Sequence, residues 1–284
     1  MSKKILQLYG LKWNPFLPDV PPDALCHTPR LDSFVWRVEQ LCHDGGFAAV
    51  LGESGTGKSV CLRMVAERMR GERDVVVGEL TRPQARVADF YRELGHLFGV
   101  PLAPHNRWAS AKTLRDTWHA HIDKASFRPL LLVDEAQEMS ADVLSELRLL
   151  SSANLDTRSI LTVVFAADRR LYDKLRLPAL LPLDSRMRVR LALEAAPREE
   201  LSACLCHVME QAGSSKLMTS ELAATLVEHA AGNYRALMSM ANDLLLAGAQ
   251  REIRQLDEKL FFDLFVPTPS EKPRARPAAA PGRR

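Results

Sequence analysis

The chain has 284 residues, 46% hydrophobic and 26% charged, an ordinary globular composition with room for one medium domain and a smaller second one. Five cysteines (Cys26, Cys42, Cys61, Cys204 and Cys206) include no C-x-x-C pair, which points to reduced thiols in a cytoplasmic protein rather than zinc or a disulfide framework. Net charge is +3, yet residues 267–284 hold five cations against Glu271, a net +4, so the other 266 residues carry −1.

Met1-Ser2-Lys3-Lys4 is basic, but Gln7 and Lys12 break the apolar stretch behind it, unlike the apolar core of a signal peptide. No run of about eighteen apolar residues occurs, so no membrane span is expected. Further on, four short apolar runs read as buried parallel strands: Phe47–Leu51, Val75–Leu80, Leu130–Val133 and Ile160–Phe165, with a weaker fifth at Val189–Leu193. Helical spacing marks Leu31–Cys42, Val60–Arg70, Arg86–Phe98, Thr113–Lys124 and Ala141–Leu150. Strands alternating with helices predict an α/β fold, with a parallel five-stranded sheet covered on both faces.

After about Ala195 the strands stop. Pro197-Arg198-Glu199-Glu200 resembles a helix start, and helices are predicted at 198–211, 220–230, 234–250 and 257–264, a small all-α lid domain. The expected organisation is an N-terminal segment (1–30), a P-loop NTPase domain (31–195), a helical lid (196–266) and a Pro- and Ala-rich, disordered basic tail (267–284). That tail is read either as a nucleic-acid contact or as a solvated end.

Gly52-Glu53-Ser54-Gly55-Thr56-Gly57-Lys58-Ser59 matches the phosphate-binding pattern G-x-x-x-x-G-K-[ST], between an apolar strand and a helix. The glycines let backbone N–H groups surround phosphate oxygens, and the helix N-terminus adds partial positive charge. Lys58 is expected to reach the β- and γ-phosphates, and the Ser59 hydroxyl to ligate Mg²⁺. The ligand is read as ATP with Mg²⁺. Leu130-Leu131-Leu132-Val133-Asp134-Glu135 is a strand ending in two acids, at the sheet end where open α/β folds bind ligands. Asp134 is expected to hold Mg²⁺ and Glu135 to orient the attacking water. Gln137 is read either as a phosphate or substrate contact or as a helix-start residue.

These motifs resemble an AAA+ ATPase. Tyr9-Gly10-Leu11-Lys12-Trp13-Asn14-Pro15-Phe16 resembles the N-terminal signature of ExeA-like members, Leu183–Leu191 the arginine-finger region, and Gly232-Asn233-Tyr234-Arg235 the sensor 2 motif, with Tyr234 at the usual proline. The resemblance, over roughly Tyr9 to Phe265, is to ExeA-like ATPases and within them to the accessory ATPases of transposition (the TnsC-, TniB- and MuB-like group). It implies a homo-oligomeric ring or filament on double-stranded DNA, bound without sequence preference, and a transposase partner. It also implies an arginine finger at Arg186, with Arg188 and Arg190 as alternatives, completing a neighbour's site, and nucleotide contact by Arg235. Asp168 is the nearest sensor 1 residue, or a helix cap. The Tyr9–Phe16 segment forms either a wall of the adenine pocket, which the resemblance favours, or an apolar clasp over the core.

For DNA, Arg82 and Arg86 follow the second strand, and His105-Asn106-Arg107-Trp108 is read as a loop before a helix. These cations either contact phosphates or form a solvated loop. Two other functions stay open: an ExeA-like ATPase of a secretion system, and a nucleotide-gated scaffold with little hydrolysis.

Overall fold

The apolar runs become the five strands β1 (Gly46–Gly52), β2 (Val75–Leu80), β3 (Arg128–Val133), β4 (Thr162–Ala167) and β5 (Met187–Leu193) in a computed structural model. It describes residues 3–102, 105–124, 127–153 and 157–265; the predicted basic tail lies outside them. All neighbours are parallel, in the order β2-β3-β4-β1-β5.

Successive strand residues point to opposite faces. Phe47, Ala49, Leu131, Val133, Val163 and Phe165 therefore enter one layer, and Ala48, Val50, Leu130, Leu132, Val164 and Ala166 the other. Both faces are buried, which is why the sequence shows continuous apolar runs and no alternation. The helices α2 (Pro29–Asp44) and α3 (Lys58–Arg70) supply Phe34, Val38, Val65 and Met69 to one layer. The helices α4 (Val87–Leu97), α5 (Arg107–Asp123) and α6 (Ala141–Ser151) supply Phe90, Leu94, Trp118 and Leu144 to the other.

The helices α9 (Arg198–Gln211), α10 (Ser220–Ala230), α11 (Tyr234–Gln250) and α12 (Glu258–Phe265) pack around a separate core that includes Leu205, Leu226, Leu244 and Leu260. The chain enters this lid at Ala196, whose N–H donates to the Gly232 carbonyl at 2.9 Å. Gly232 has φ +83°, and a Cβ there would lie 2.6 Å from the Ala195 Cβ. Glycine is required on both counts.

Three sequence expectations change. The run Ile160–Phe165 is not one strand: β4 begins at Thr162, because the Ile160 N–H donates to Ser151. Ile160 and Leu161 lie ahead of that first strand residue and are fully buried, with the Leu161 carbonyl accepting from the Gly46 N–H of β1 at 3.1 Å. The helix expected at Thr113 starts at Arg107, since the Asn106 Oδ1 accepts from the Ala109 N–H at 3.0 Å and caps a longer helix. Third, Tyr9, Leu11 and Phe16 join the lid core, so this segment is an apolar clasp on the lid. The Asn14 Nδ2 donates to Asn242 of α11 at 2.8 Å. The same strap then crosses to α3, where Arg63 donates to the Pro18 and Val20 carbonyls at 2.6 and 2.7 Å.

Candidate functional site

The strand β1 ends at Gly52, and α3 starts six residues later at Lys58. Between them Gly55 and Gly57 have φ of +84° and +100°, a region that side chains disfavour. A Cβ on Gly52 would lie 2.5 Å from the Thr56 Oγ1 and 2.7 Å from the Leu193 carbonyl. The loop wraps the lysine: Lys58 is 7% exposed, and its Nζ donates to the Glu53 carbonyl at 2.9 Å. The Thr56 hydroxyl donates to the same carbonyl. A cation held in a glycine cradle at a helix N-terminus fits a phosphate chain. Ser59 is exposed in the first turn of α3.

The sheet register brings the acids to this loop. Val133 pairs with Phe165 and Phe165 with Ala49, so Asp134 lies level with Val50. That is two strand spacings across from β1, about 10 Å. Asp134 is half-buried and accepts from the Glu135 N–H at 2.9 Å, while Glu135 is exposed. Glu135 takes φ +51°, a conformation costing about 1–2 kcal/mol outside glycine, so its surroundings must hold it. Gln137 does so: 2% exposed, it donates through Nε2 to the Glu135 carboxylate and accepts from the Asp168 N–H at 3.1 Å. Of the two sequence readings for Gln137, neither anticipated this bridge between the ends of β3 and β4. Asp168 itself caps α7 (Arg169–Leu175), accepting from the Arg170 N–H at 2.8 Å and pairing with its guanidinium.

Arg186 stands at the opposite end of the sheet. It directly precedes Met187, which pairs with Phe47 at the start of β1, whereas Gly52 pairs with Leu193. The P-loop of the same chain is therefore roughly 20 Å away along the strands. The Arg186 guanidinium donates to the Pro182 carbonyl. Burial first, and then the neighbouring Arg148, pull it below the ordinary arginine value. Crowded, partly desolvated guanidinium groups favour an anion at their surface. Arg190 pairs with Asp184 at 2.8 Å, and Arg188 is exposed.

The lid lands directly on the P-loop. Asn233 donates through Nδ2 to the Ser54 carbonyl at 2.9 Å, and its Oδ1 caps α11 through the Ala236 N–H. The Tyr234 N–H donates to the Gly55 carbonyl at 3.0 Å, and the Arg235 guanidinium to the Ser54 Oγ at 2.6 Å. A Cβ on Gly55 would lie 2.1 Å from the Asn233 Oδ1, so this glycine serves the lid contact as well as the phosphate turn. Sequence reading singled out Arg235 but missed Asn233, although an asparagine just before a helix is a capping signal.

Arg82 and Arg86 are exposed around the turn between β2 and α4. Arg107, expected in a loop, starts α5 and pairs with Glu146 of α6. That carboxylate is 2% exposed and also accepts from the Tyr91 hydroxyl at 2.6 Å. Burial, and next the Glu146 hydrogen bond, push the Tyr91 phenol well above its ordinary value, so it donates throughout the working pH range. Arg107→Ala is expected to lower unfolding free energy by about 1–3 kcal/mol, because a buried carboxylate loses its charged partner. Urea titration reads this; a loss of DNA affinity at unchanged stability would instead assign Arg107 to DNA.

Three comparisons bear on this geometry. Residues 41–175 match the family model of the AAA domain. The match runs from the end of α2 through α7 and contains both the P-loop and the Asp134-Glu135 pair. General secretion pathway protein A of Aeromonas hydrophila is 26% identical over 247 residues, 86% of this chain and 44% of that protein. The chain thus spans less than half the length of this curated relative. The ORC2 protein of Aeropyrum pernix, solved as ADPNP and ADP complexes, aligns with a TM-score of 0.69 at 14% identity, over 88% of this chain and 70% of that one. The Aeropyrum pernix ORC1 protein in complex with DNA aligns at 0.65 and 14%, over 88% and 67%. The structural likeness shows the fold, that of the P-loop NTPases. Over residues 41–175 the chain is thus similar to AAA-domain proteins, and over most of its length to the Aeromonas secretion protein. Among the described residues no helix is long and apolar enough to cross a membrane.

Proposed function

We propose that this protein is an ATP-hydrolysing AAA+ switch that assembles on duplex DNA, as a ring or filament, and regulates a transposase there. The carrying observation is the Asn233–Arg235 turn bonded to Ser54 and Gly55: whatever moves the P-loop moves the lid. Bound ATP and Mg²⁺ would supply the phosphoanhydride and the charge that neutralises it. Backbone N–H groups of Gly52–Gly57, with Glu53, Ser54, Gly55 and Thr56 between, hold the phosphates. Lys58 leaves the Glu53 carbonyl for them. Ser59 and Asp134 hold the metal, Glu135 positions water in the orientation Gln137 sets, and a neighbour's Arg186 offsets transition-state charge. Arg235 reads the nucleotide from the lid.

Asn233 positions that arginine. Asn233→Ala is expected to weaken ATP binding about fivefold or more, read by titration with a fluorescent ATP analogue. Unchanged affinity would reduce the contact to packing.

The DNA client rests on the fold neighbour solved with DNA and on the exposed Arg82 and Arg86. Gel shift of a random-sequence duplex tests it: ATP or a non-hydrolysable analogue should induce binding, and raising salt from about 50 to 200 mM should weaken it by orders of magnitude. No shift with either nucleotide would sink the DNA reading. It would favour the second one, an ExeA-like ATPase of a secretion system, which the Aeromonas relative supports.

A further inference from the structure

A groove with an exposed tryptophan opens beside the N-terminal strap. The short helical turn Pro22–Ala24 of that strap packs against α9 of the lid and α3 of the sheet domain. With α2 as the facing wall, it encloses a cleft of about 420 Å³. Leu25, Val35 and Met64 line it and are buried. Trp36 of α2 stands in the same wall and is 60% exposed. A large aromatic side chain left in water beside an apolar floor marks an interaction surface.

The rim is acidic. Asp23, Asp32, Glu39 and Glu67 line it against a single guanidinium, that of Arg68. Arg68 donates to both Glu39 oxygens at 2.9 and 3.0 Å and ties α3 to α2. Arg63 ties α3 to the strap through the Pro18 and Val20 carbonyls. The three walls are therefore fixed to one another, and the groove is formed in advance. Asp32 pairs with His27 at 2.7 Å and Glu67 with Arg70 at 2.9 Å. These pairs are exposed, where such pairs contribute little, so both carboxylates can take other cations.

An occupant of this groove must offer apolar rings together with positive charge. The chain itself carries such a segment. Residues 267–284, beyond the described ones, hold five prolines interspersed with Lys272, Arg274, Arg276, Arg283 and Arg284, against Glu271 alone. Proline fixes its own φ and restricts the residue before it. A proline-rich segment therefore loses little entropy when it docks in an aromatic-lined groove. At about 3.1 Å per residue, the 18 residues would reach about 55 Å. A body of this size has a radius of gyration of only about 18 Å.

We propose that the groove between the strap, α2 and α3 is the docking site of this chain's own basic tail. Lys272–Pro277 lies across Trp36, with its cations on Asp23, Asp32 and Glu67. Proline rings pack on the indole, and a guanidinium over the indole face adds a cation–π contact. Cations held there are withheld from any other anion, so docking and release set the availability of the tail. The docking depends neither on the nucleotide chemistry nor on the DNA client proposed above.

The test treats the full chain with a carbodiimide, which joins an amine to a carboxylate in direct contact with it. Lys272 is the one lysine of residues 267–284. Light and heavy isotope-labelled chains are mixed, so that peptide mapping separates links within a chain from links between chains. The expected product joins Lys272 to Asp23, Asp32 or Glu67 of the same chain. Trp36→Ala should lower its yield on the order of fivefold, with circular dichroism unchanged because this side chain is largely exposed. The double variant Arg274→Ala, Arg276→Ala keeps Lys272 and every groove carboxylate, and should lower it as well. So should raising salt from about 50 to 500 mM. Lys272 linked only to Glu271 or to carboxylates outside the groove, links found only between light and heavy chains, or a yield that Trp36→Ala leaves unmoved would overturn the proposal.

Discussion

Mixing Lys58→Ala protein with Arg186→Ala protein is expected to restore ATP turnover that neither shows alone. Lys58→Ala removes the one cation inside the phosphate loop, a loss on the order of 10²–10³-fold for a single preorganised charge. Arg186→Ala removes the proposed finger, a group worth about 10³-fold or more in related chemistry. The register makes complementation the expected outcome. Arg186 precedes Met187 at the start of the sheet, and the P-loop leaves its far end, so one chain cannot supply both to a single phosphate. In a mixed assembly, the intact loop of the Arg186→Ala subunit meets the intact arginine of the Lys58→Ala subunit. About a quarter of head-to-tail interfaces would be competent with random mixing. Steady-state phosphate release against mixing ratio reads this. Two silent variants that stay silent together, or wild-type turnover independent of protein concentration, would falsify completion in trans.

Glu135→Gln is expected to stop the proposed cycle without emptying the site. Glutamine keeps an oxygen to accept from Gln137, so the turn at φ +51° keeps its bridge to Asp168. What is lost is the carboxylate proposed to polarise the attacking water, a role worth typically about 10²–10⁴-fold. ATP affinity should stay within a few-fold of wild type, because Lys58, Ser59 and Asp134 are untouched. ATP-bound assemblies should then accumulate, visible by size-exclusion chromatography with ATP. If turnover is unchanged, Glu135 is not the base and the scaffold reading gains. If binding collapses with it, Glu135 serves the metal rather than the water.

Local chemistry made much of this legible beforehand. A P-loop is one contiguous segment, so Gly52–Ser59 announces itself through glycine conformations and a strand–loop–helix context. Asp134 and Glu135 were readable because the strand before them is apolar on both faces. Strand ends were less so: Ile160 and Leu161 are buried just ahead of the first strand residue, Thr162, and hydrophobicity reports burial rather than pairing. Arg107 was misplaced for a different reason, since the carboxylate that claims it lies on another helix.

The sequence by itself determined the phosphate loop, the acid pair, the α/β order and the helical lid, because each depends on neighbours within one segment. Only the tertiary structure decided how these parts engage one another. It set Asn233 and Arg235 on the P-loop, clasped Tyr9–Phe16 to the lid, and bridged Glu135 to Asp168 through Gln137. Such contacts join residues far apart in the chain. Nothing in local spacing encodes them; they follow from sheet register and from packing two cores against one strap.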